Sequence, residues 1–274
     1  MVKDLKNLLY KHGVKLTKAY GQNFLTDDSL LEEIVKSAGI DKESTVLEIG
    51  PGAGALTYHL GKSAKRVVAY EIDQRLKPVL EETVGELNNV EVVFKDVMKE
   101  KLSVLEAKLN EEYVMVANLP YYITTPIVMN FLENAKKIKA LVIMVQKEVA
   151  DRFTAKAGSS DYGAITVGIN LRGSAKMIKF VPREMFTPPP NVDSAVVKID
   201  IDKSKYINED LVKVREVVKK AFMNRRKMLV NNLMNFYKKS RNEVEEILQK
   251  CNIDLTARGE TLTEQDFINL SKLL

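Results

Sequence analysis

The chain has 274 residues, 45% of them apolar, which is enough for one large domain and a small second one. Its first fifteen residues mix polar and short apolar groups, so no signal peptide is predicted, and no apolar stretch approaches the roughly 20 residues that span a bilayer. One cysteine, Cys251, excludes an internal disulfide, and two histidines, His12 and His59, leave little for a metal site. We therefore expect a cytoplasmic monomer without a bound metal, whose net charge of +5 is unevenly spread along the chain.

The first clear element is a helix over residues 27–38. Apolar residues recur there at helical spacing, Asp27 or Asp28 is suited to the N-cap, and Gly39 follows the last turn. The pattern then changes to short β-branched runs at regular intervals. These runs are Thr45–Ile49, Arg66–Ile72, Val90–Phe94, Tyr113–Asn118 and Ala140–Val145. Because helical stretches separate them, they predict βαβ units and a mainly parallel sheet covered on both faces, which is a doubly wound α/β domain.

The remaining elements divide the chain into two predicted domains. We expect a helix at Tyr162–Leu171 and strands at Lys176–Val181 and Ser194–Ile201, with Pro188, Pro189 and Pro190 in a rigid loop between the strands. Beyond residue 203 the strand pattern ends, and Val212–Lys239 and Val244–Leu248 are typical of helices. The predicted domains are therefore an α/β domain at 1–202 and a small helical domain at 203–274.

A glycine-rich stretch, VLEIGPGAGALT, follows the first of the regular strands. Gly50 and Gly52 stand at the mouth of a helix, where missing Cβ atoms permit a tight turn and a ligand close to the backbone. Glu71 ends the second strand, where its carboxylate could accept from ribose hydroxyls, and Asp96 follows the third, where it could accept from an adenine amine. A plain strand-to-helix turn, a helix cap at Asp96 and a structural role for Glu48 remain alternatives.

The glycine spacing narrows the class of ligand. It is G-x-G-x-G instead of G-x-G-x-x-G, and no Lys-Ser/Thr pair follows to hold phosphates. This argues against a P-loop and weakens a dinucleotide interpretation. Acceptors for ribose and adenine without a phosphate-binding motif suit S-adenosylmethionine. The predicted cofactor site also includes Ile72 and Val97, the residues that follow the two carboxylates.

The fourth regular strand ends in the motif NLPY. In a doubly wound sheet it lies beside the glycine loop, at the point where ligands bind. The Asn118 side-chain oxygen and the Leu119 carbonyl could accept the two hydrogens of an aromatic amine, with Pro120 fixing the backbone, and the Tyr121 ring could stack on the base. A poorly nucleophilic adenine amine would be helped by two such acceptors as it becomes tetrahedral. A Pro-Tyr turn with buried rings is the alternative.

The segment from Lys213 to Arg241 is strongly basic. It holds ten Lys and Arg residues against a single acid, Glu216. A solvated helix face is the common meaning of such a run, but the imbalance favours contact with nucleic-acid phosphates. The predicted RNA-binding residues are Lys219, Lys220, Arg225, Arg226 and Lys227.

In order along the chain, several motifs together resemble the adenine dimethyltransferases of ribosomal RNA, and most closely the small-subunit branch. The motifs are KAYGQNFL, LEIGPGAGALT, YEID, KDV, NLPYYITTPI, FTPPPNVDSAV and AFMNRRKMLVNNL. The resemblance implies a Rossmann-like methyltransferase that uses S-adenosylmethionine to dimethylate the exocyclic amine of two adjacent adenosines near the 3′ end of small-subunit RNA, within a ribosomal subunit or its precursor. A role in small-subunit biogenesis follows from it.

The resemblance also assigns site residues. Gln22, Asn23 and Leu25 resemble the segment that closes over the cofactor, and Phe186 resembles a second aromatic that sandwiches the target base against Tyr121. The predicted cofactor set is Gln22, Asn23, Leu25, Gly50, Gly52, Glu71, Ile72, Asp96, Val97 and Asn118. The predicted catalytic set is Asn118, Leu119, Pro120, Tyr121 and Phe186.

Competing interpretations explain fewer of these features. An RNA-binding or ribosome-assembly factor accounts for the basic segment alone, and an NAD-type oxidoreductase accounts for the glycines but not for NLPY. Within the enzyme class, the alternative is a large-subunit antibiotic-resistance methyltransferase. The C-terminal segment ARGETLTEQDFINLSKLL resembles the small-subunit branch more. The order of the methylations, the assembly state of the RNA and the individual phosphate contacts are open at this level.

Overall fold

The computed structural model describes residues 5–14 and 23–274. The strands are β1 (Phe24–Leu25), β2 (Thr45–Ile49), β3 (Arg66–Glu71), β4 (Val90–Phe94), β5 (Tyr113–Asn118), β6 (Ile138–Gln146), β7 (Gly173–Val181), β8 (Phe186–Thr187) and β9 (Ser194–Ile201). The helices are α1 (Leu5–Lys11), α2 (Asp28–Ala38), α3 (Ala55–Ser63), α4 (Lys77–Val84), α5 (Leu102–Leu109), α6 (Tyr121–Asn134), α7 (Lys147–Phe153), α8 (Ala164–Asn170), α9 (Leu211–Ala221), α10 (Leu229–Tyr237), α11 (Arg241–Lys250) and α12 (Glu264–Leu273). In this part of the chain, no helix is both long and apolar enough to cross a bilayer.

The predicted doubly wound sheet is confirmed. Its strands lie in the order β4-β3-β2-β5-β6-β9-β7, and β2 to β6 run parallel, whereas β9 runs antiparallel to β6. Ile49 pairs with Tyr70 on one side and with Ala117 on the other. The carboxyl ends of β2, β3 and β5 therefore meet at one edge of the sheet. Between β2 and β5 the chain order reverses, which is where doubly wound folds form a crevice.

Helix α2 follows its sequence signals closely. The Asp27 carboxylate accepts from the Leu30 amide at 2.8 Å, and Gly39 ends the helix with a φ of 70°. The apolar stripe of α2 is buried in a core cluster that also contains Val46 of β2 and Val114 of β5. Burial of this stripe against the sheet holds the helix, because an isolated helix of eleven residues is marginal in water.

A second cluster secures the first described residues. Leu5 and Leu9 of α1 are buried with Leu76 and Leu80, which lie at the start of and within α4. The same cluster contains Phe24 of β1, whose neighbour Leu25 pairs with Phe186 of β8. This apolar packing, supported by the two-stranded ladder, holds the chain on both sides of residues 15–22.

The chain divides into two compact units. The first contains the described residues up to Ala150 together with Lys176–Ile201, and the second contains Asp151–Ala175 with Asp202–Leu274. The sequence boundary at 202/203 did not anticipate that residues 151–175 group with the helical part. In the second unit the side chains of Tyr162 and Val167 share an apolar cluster with α9 to α12, which explains the grouping. The predicted boundary at 202/203 placed α8 in the α/β domain, whereas in the structure α8 belongs to the second unit.

The helix predicted over Val212–Lys239 is wrong in its middle, because the chain turns between Ala221 and Leu229. The buried stripe of α9 ends at Ala221, and the positions three and four residues further on hold the exposed Asn224 and Arg225. The Asn232 side-chain amide donates to the carbonyl of Ala221 at 2.9 Å and to that of Asn224 at 3.2 Å. These bonds use carbonyls that the end of α9 leaves without helical partners, so the turn costs little.

Candidate active site

A cleft opens at the carboxyl ends of the parallel strands, within the first unit. It encloses about 1250 Å³ of empty space including its open mouth. The predicted residues on its wall are Asn23, Leu25, Gly50, Gly52, Glu71, Ile72, Asp96, Val97, Asn118, Leu119, Pro120 and Tyr121. The structure thus brings together the glycine loop, both carboxylates and NLPY. Gln22 lies outside the described residues.

The glycine loop needs residues without side chains. Gly50 and Gly52 have φ angles of 75° and 59°, in the left-handed region that other residues rarely adopt. A Cβ on Gly52 would lie 3.1 Å from the ring of Phe24, so the loop and the β1 segment approach closely. Helix α3 begins directly after this loop at Ala55, and its first amides lie at the cleft edge.

Glu71 ends β3 as a buried carboxylate held by the backbone. Its Oε2 accepts from the Gly52 amide at 3.1 Å and its Oε1 from the Asp73 amide at 2.8 Å. Burial raises the pKa of Glu71, and these backbone bonds oppose the rise. A carboxylate oxygen has two lone pairs, so each oxygen can accept a further hydrogen bond from a ribose hydroxyl. The residue is therefore preformed as a paired acceptor.

Asp96 serves as a cap and as part of the cleft wall. Its Oδ1 accepts from the Met98 amide at 3.0 Å, which begins the 3₁₀ turn at Val97–Lys99. The alternative role as a helix cap is thus present in the structure. The cap uses one lone pair, and Asp96 also lines the cleft, so the same carboxylate can accept from an adenine amine.

Glu48 is the unexpected titratable group of the cleft. It is 1% exposed, and no described residue lies in hydrogen-bonding geometry with either carboxyl oxygen. Burial raises the pKa of Glu48 to about 8; the nearby Thr57 hydroxyl opposes the rise and the charge of Glu71 adds to it. Glu48 therefore favours its protonated, uncharged form at neutral pH.

Asn118 is oriented by the chain segment that precedes α2. Its Nδ2 donates to the Asn23 carbonyl at 3.4 Å, whereas its Oδ1 accepts no hydrogen bond from the described residues. The bonds that begin α6 go to the carbonyl of Pro120, from the Ile123 amide at 3.1 Å and the Thr124 hydroxyl at 3.3 Å. The Leu119 carbonyl stays outside this helix. Two carbonyl-type oxygens thus remain for a ligand at the end of β5.

Tyr121 is the first residue of α6 and is half-buried in the cleft wall. Its hydroxyl lies 2.7 Å from the Ser194 hydroxyl, and burial raises its pKa, which keeps the phenol protonated. The next residue, Tyr122, is 68% exposed at the mouth of the cleft. Neither Ser194 nor Phe24, which packs on the glycine loop, was predicted from the sequence.

The structure does not bring Phe186 to the cleft wall. Its ring is 2% exposed in the core cluster that also contains Leu25, its partner in the β1–β8 ladder, and it is absent from the described residues that line the cleft. A sandwich with Tyr121 would require this ring to leave the core. Its role in holding the base therefore stays a prediction.

The predicted RNA-binding residues of the second unit differ in their surroundings. The Arg225 guanidinium donates to the carbonyls of Ser160 at 2.6 Å and Tyr162 at 2.8 Å, so it holds a loop. The Lys220 ammonium lies 3.3 Å from the centre of the Phe236 ring. Of the five predicted RNA-binding residues, Lys219, Arg226 and Lys227 are exposed, and their side chains make no hydrogen bond or ion pair with other described residues.

No group of three or more metal-ligating side chains in the described chain could hold a metal ion. The cleft is lined by carboxylates, backbone carbonyls and aromatic rings.

The contact of Ser194 with Tyr121 was missed because it joins residues 73 positions apart, and the sequence context of Ser194, SAVV, is that of an ordinary buried strand.

Comparisons with known proteins agree with this geometry. The family model described as ribosomal RNA adenine dimethylase matches residues 13–270. A protein of Bacillus licheniformis named ribosomal RNA small subunit methyltransferase A is 44% identical, over 98% of this chain and 94% of the relative. A protein of Clostridioides difficile with the same name is also 44% identical, over the same shares of the two chains.

Two solved structures share both the fold and detectable sequence. A dimethyladenosine transferase from Plasmodium falciparum has a TM-score of 0.77 and 26% identity, over 90% of this chain and 95% of that one. The 23S rRNA methyltransferase ErmE has a TM-score of 0.71 and 28% identity, over 92% and 99%.

Proposed function

The chain belongs to the ribosomal RNA adenine dimethylase family, and on that premise we propose that it dimethylates the exocyclic amines of two adjacent adenosines near the 3′ end of small-subunit RNA. The observation that carries the proposal is the orientation of Asn118, whose unused oxygen lies beside the glycine loop, Glu71 and Asp96 in one cleft. The 44% identity to two small-subunit methyltransferases supports the choice of RNA.

The cleft residues fit S-adenosylmethionine, which supplies an electrophilic methyl group on a sulfonium when it is bound. The buried carboxylate of Glu71 would hold the ribose hydroxyls, and Asp96 would accept from the adenine amine. Gly50 and Gly52 leave the backbone open, and Asn23, Leu25, Ile72 and Val97 complete the proposed wall. The fit rests on the acceptor groups, because two carboxylates without a neighbouring phosphate-binding Lys-Ser/Thr pair suit the adenosine moiety of a cofactor that has no phosphate.

The target amine would be handled by groups that do not titrate. The lone pair of an adenine amine is delocalised into its ring, and it becomes available for attack only as the nitrogen pyramidalises. The Asn118 Oδ1 and the Leu119 carbonyl would accept the two amine hydrogens in that geometry, and Pro120 would keep the carbonyl aimed. The half-buried Tyr121 ring would stack on the base and stabilise the developing positive charge. The excess proton would leave to water or to the RNA.

RNA would be bound through phosphate contacts of the second unit, residues 151–175 and 202–274. Lys219, Arg226 and Lys227 are exposed and have no other use among the described residues, so they are the first candidates. Arg225 and Lys220 contribute charge, but their side chains are already engaged. We propose that the enzyme acts as a cytoplasmic monomer on RNA within a ribosomal subunit or its precursor, and that this links it to small-subunit biogenesis.

A large-subunit target is the second candidate, because ErmE shares 28% identity and the fold over most of both chains. The test is methyl transfer from labelled S-adenosylmethionine to unmodified small-subunit and large-subunit particles in separate reactions. We expect label in small-subunit RNA alone, and label in large-subunit RNA alone would replace the proposal by the second candidate. In parallel, the demethylated cofactor should raise the melting temperature and NAD should not.

A further inference from the structure

Ser194 is a buried polar residue that contacts the cleft through one partner. It is the first residue of β9 and is fully buried, and its Oγ lies 2.7 Å from the Tyr121 hydroxyl. A buried hydroxyl is costly when it has no partner, so this bond is a strong constraint on both side chains. Burial raises the pKa of Tyr121, and the bond is therefore one between two neutral hydroxyls.

The position of Ser194 is fixed by its surroundings. Ser194 pairs in register with Gln146 at the end of β6. The preceding residue, Asp193, accepts from the Lys147 amide at 2.9 Å through its carbonyl and from the Arg183 amide at 3.1 Å through its carboxylate. The start of the strand is thus held on both sides, which fixes the backbone that carries the Ser194 hydroxyl.

Tyr121 needs such a support because its backbone stands at a helix start. It follows Pro120, and its ring can rotate about two side-chain bonds within the half-buried wall of the cleft. Fixing the hydroxyl at the far end of the ring fixes the direction of the ring axis, and so the position of the ring in the cleft. A stacking surface is useful to a reaction only if it holds the base within a fraction of an ångström of the reacting methyl group.

We propose that Ser194 is a positioning residue for methyl transfer, which sets the Tyr121 ring as the surface on which the target base stacks. The inference rests on the proposed function, because Tyr121 matters to the reaction only if a base lies on it. Ser194 itself is not among the described residues that line the cleft. Its effect passes through one hydrogen bond, which can be removed from either end.

The test is a mutant cycle with Ser194→Ala, Tyr121→Phe and the double variant, assayed on unmodified small-subunit particles. Each single change removes the same bond, so we expect each to lower kcat/KM for RNA roughly threefold to tenfold. The double variant should lose little more than either single one, because the shared bond is already gone. The dissociation constant of the demethylated cofactor should stay at the wild-type value in all three.

The two ends of the bond differ in burial, which gives a second readout. Tyr121→Phe leaves a fully buried serine hydroxyl without its partner, whereas Ser194→Ala leaves a half-buried tyrosine that water can reach. The double variant should therefore melt at a higher temperature than Tyr121→Phe alone. Ser271→Ala is the matched control, because it removes another buried serine bond, at 2.7 Å to the Ile268 carbonyl, and should leave kcat/KM unchanged.

Tyr121→Ala separates failure of this inference from failure of the proposed function. Wild-type turnover in Tyr121→Ala would contradict stacking on this ring, and with it the basis of the inference. A large loss in Tyr121→Ala combined with wild-type kcat/KM in Ser194→Ala would overturn the positioning role alone. Losses in Ser194→Ala and Tyr121→Phe that add fully in the double variant would also overturn it.

Discussion

The two sides of the cleft are organised over different distances along the chain. On the cofactor side, Glu71 accepts from Gly52 and Asp73, which are 19 and two residues away, and Asp96 accepts from Met98. On the base side, Asn118 is oriented by Asn23, 95 residues away. The bond between Tyr121 and Ser194 joins residues 73 positions apart. Loops that follow strands build the first side, and contacts between distant segments build the second.

This difference separates the residues proposed to bind the cofactor from those proposed to position the target base. The two carboxylates of the cofactor side are held by backbone amides once the parallel strands are in register. The Tyr121 ring depends instead on the start of β9, so its position can be disturbed without loss of these carboxylate contacts. Substitutions on the two sides should therefore change different measured quantities.

The largest effect is expected on the base side, from Asn118→Ala. Loss of one oriented acceptor of this kind costs about 100-fold to 1,000-fold in rate, and we expect a loss of that size in single-turnover methyl transfer. RNA affinity should fall much less. The control is Asn134→Ala in α6, whose side-chain amide donates to Asn130 at the surface. Near-normal turnover of Asn118→Ala would remove it from the chemistry.

A buried acid on the cofactor side should make stability fall as pH rises. The folded state holds the proton of Glu48 up to about pH 8, whereas the unfolded chain releases it near its ordinary value, so the folded form binds more protons in between. The free energy of unfolding should fall by about 1.4 kcal/mol for each pH unit within this window. Urea unfolding of Glu48→Gln at pH 5, 7 and 9 should show a weaker decline.

Glu32→Gln, at an exposed position of α2, is the matched control for this change. It should keep the pH dependence of the wild type. If Glu48→Gln also kept the wild-type pH dependence, the acid would be charged or solvated in the folded protein, contrary to its position in the structure.

On the cofactor side, Glu71→Ala should weaken binding without a specific effect on the base. The ribose hydroxyls would lose a charged acceptor, each such bond being worth about 1.5 to 3 kcal/mol, or roughly tenfold to 150-fold in affinity. Calorimetry with the demethylated cofactor measures this loss. Glu71→Gln retains one acceptor oxygen, so its dissociation constant should lie between those of the wild type and Glu71→Ala. An unchanged dissociation constant in Glu71→Ala would exclude the proposed ribose contact.

The smallest expected effect concerns the basic residues of the second unit. Replacing Arg226 and Lys227 together by Ala should reduce the slope of log affinity against log salt by about 0.7 to 0.9 for each lost phosphate contact. Arg225→Ala should instead lower the melting temperature, because its guanidinium holds the loop at Ser160 and Tyr162. A slope that is unchanged in the double variant would show that Arg226 and Lys227 belong to a solvated surface without phosphate contacts.

Much of the α/β unit was predictable from the sequence because its signals are local. The strands at Thr45–Ile49 and Val90–Phe94 and the helix after Asp27 are confirmed at their ends, since alternation, capping and glycine act within a few residues. The same local signals bring Gly50, Gly52, Glu71 and Asp96 together in the cleft, and their contact with a cofactor stays a prediction.

The rest was not predictable because distant residues decide it. The break between α9 and α10 depends on Asn232, which bonds the end of α9 from the next helix. In the sequence Ser194 resembles any buried strand residue, because only the folded chain brings it to Tyr121. Arg225 resembles its basic neighbours in sequence, and only the folded chain shows that its guanidinium already donates to two backbone carbonyls. The burial of Phe186 beside Leu25 has the same origin.

The proposed dimethylation is tested most directly by a time course of methylated adenosines, measured by mass spectrometry of small-subunit RNA. We predict that two acceptors, at Asn118 and Leu119, hold the amine for a first transfer and that one acceptor still holds the remaining N–H for a second. Monomethyladenosine should therefore appear first and be converted into dimethyladenosine with excess enzyme and cofactor. Monomethyladenosine as the sole end product under those conditions would show that the enzyme is not a dimethyltransferase.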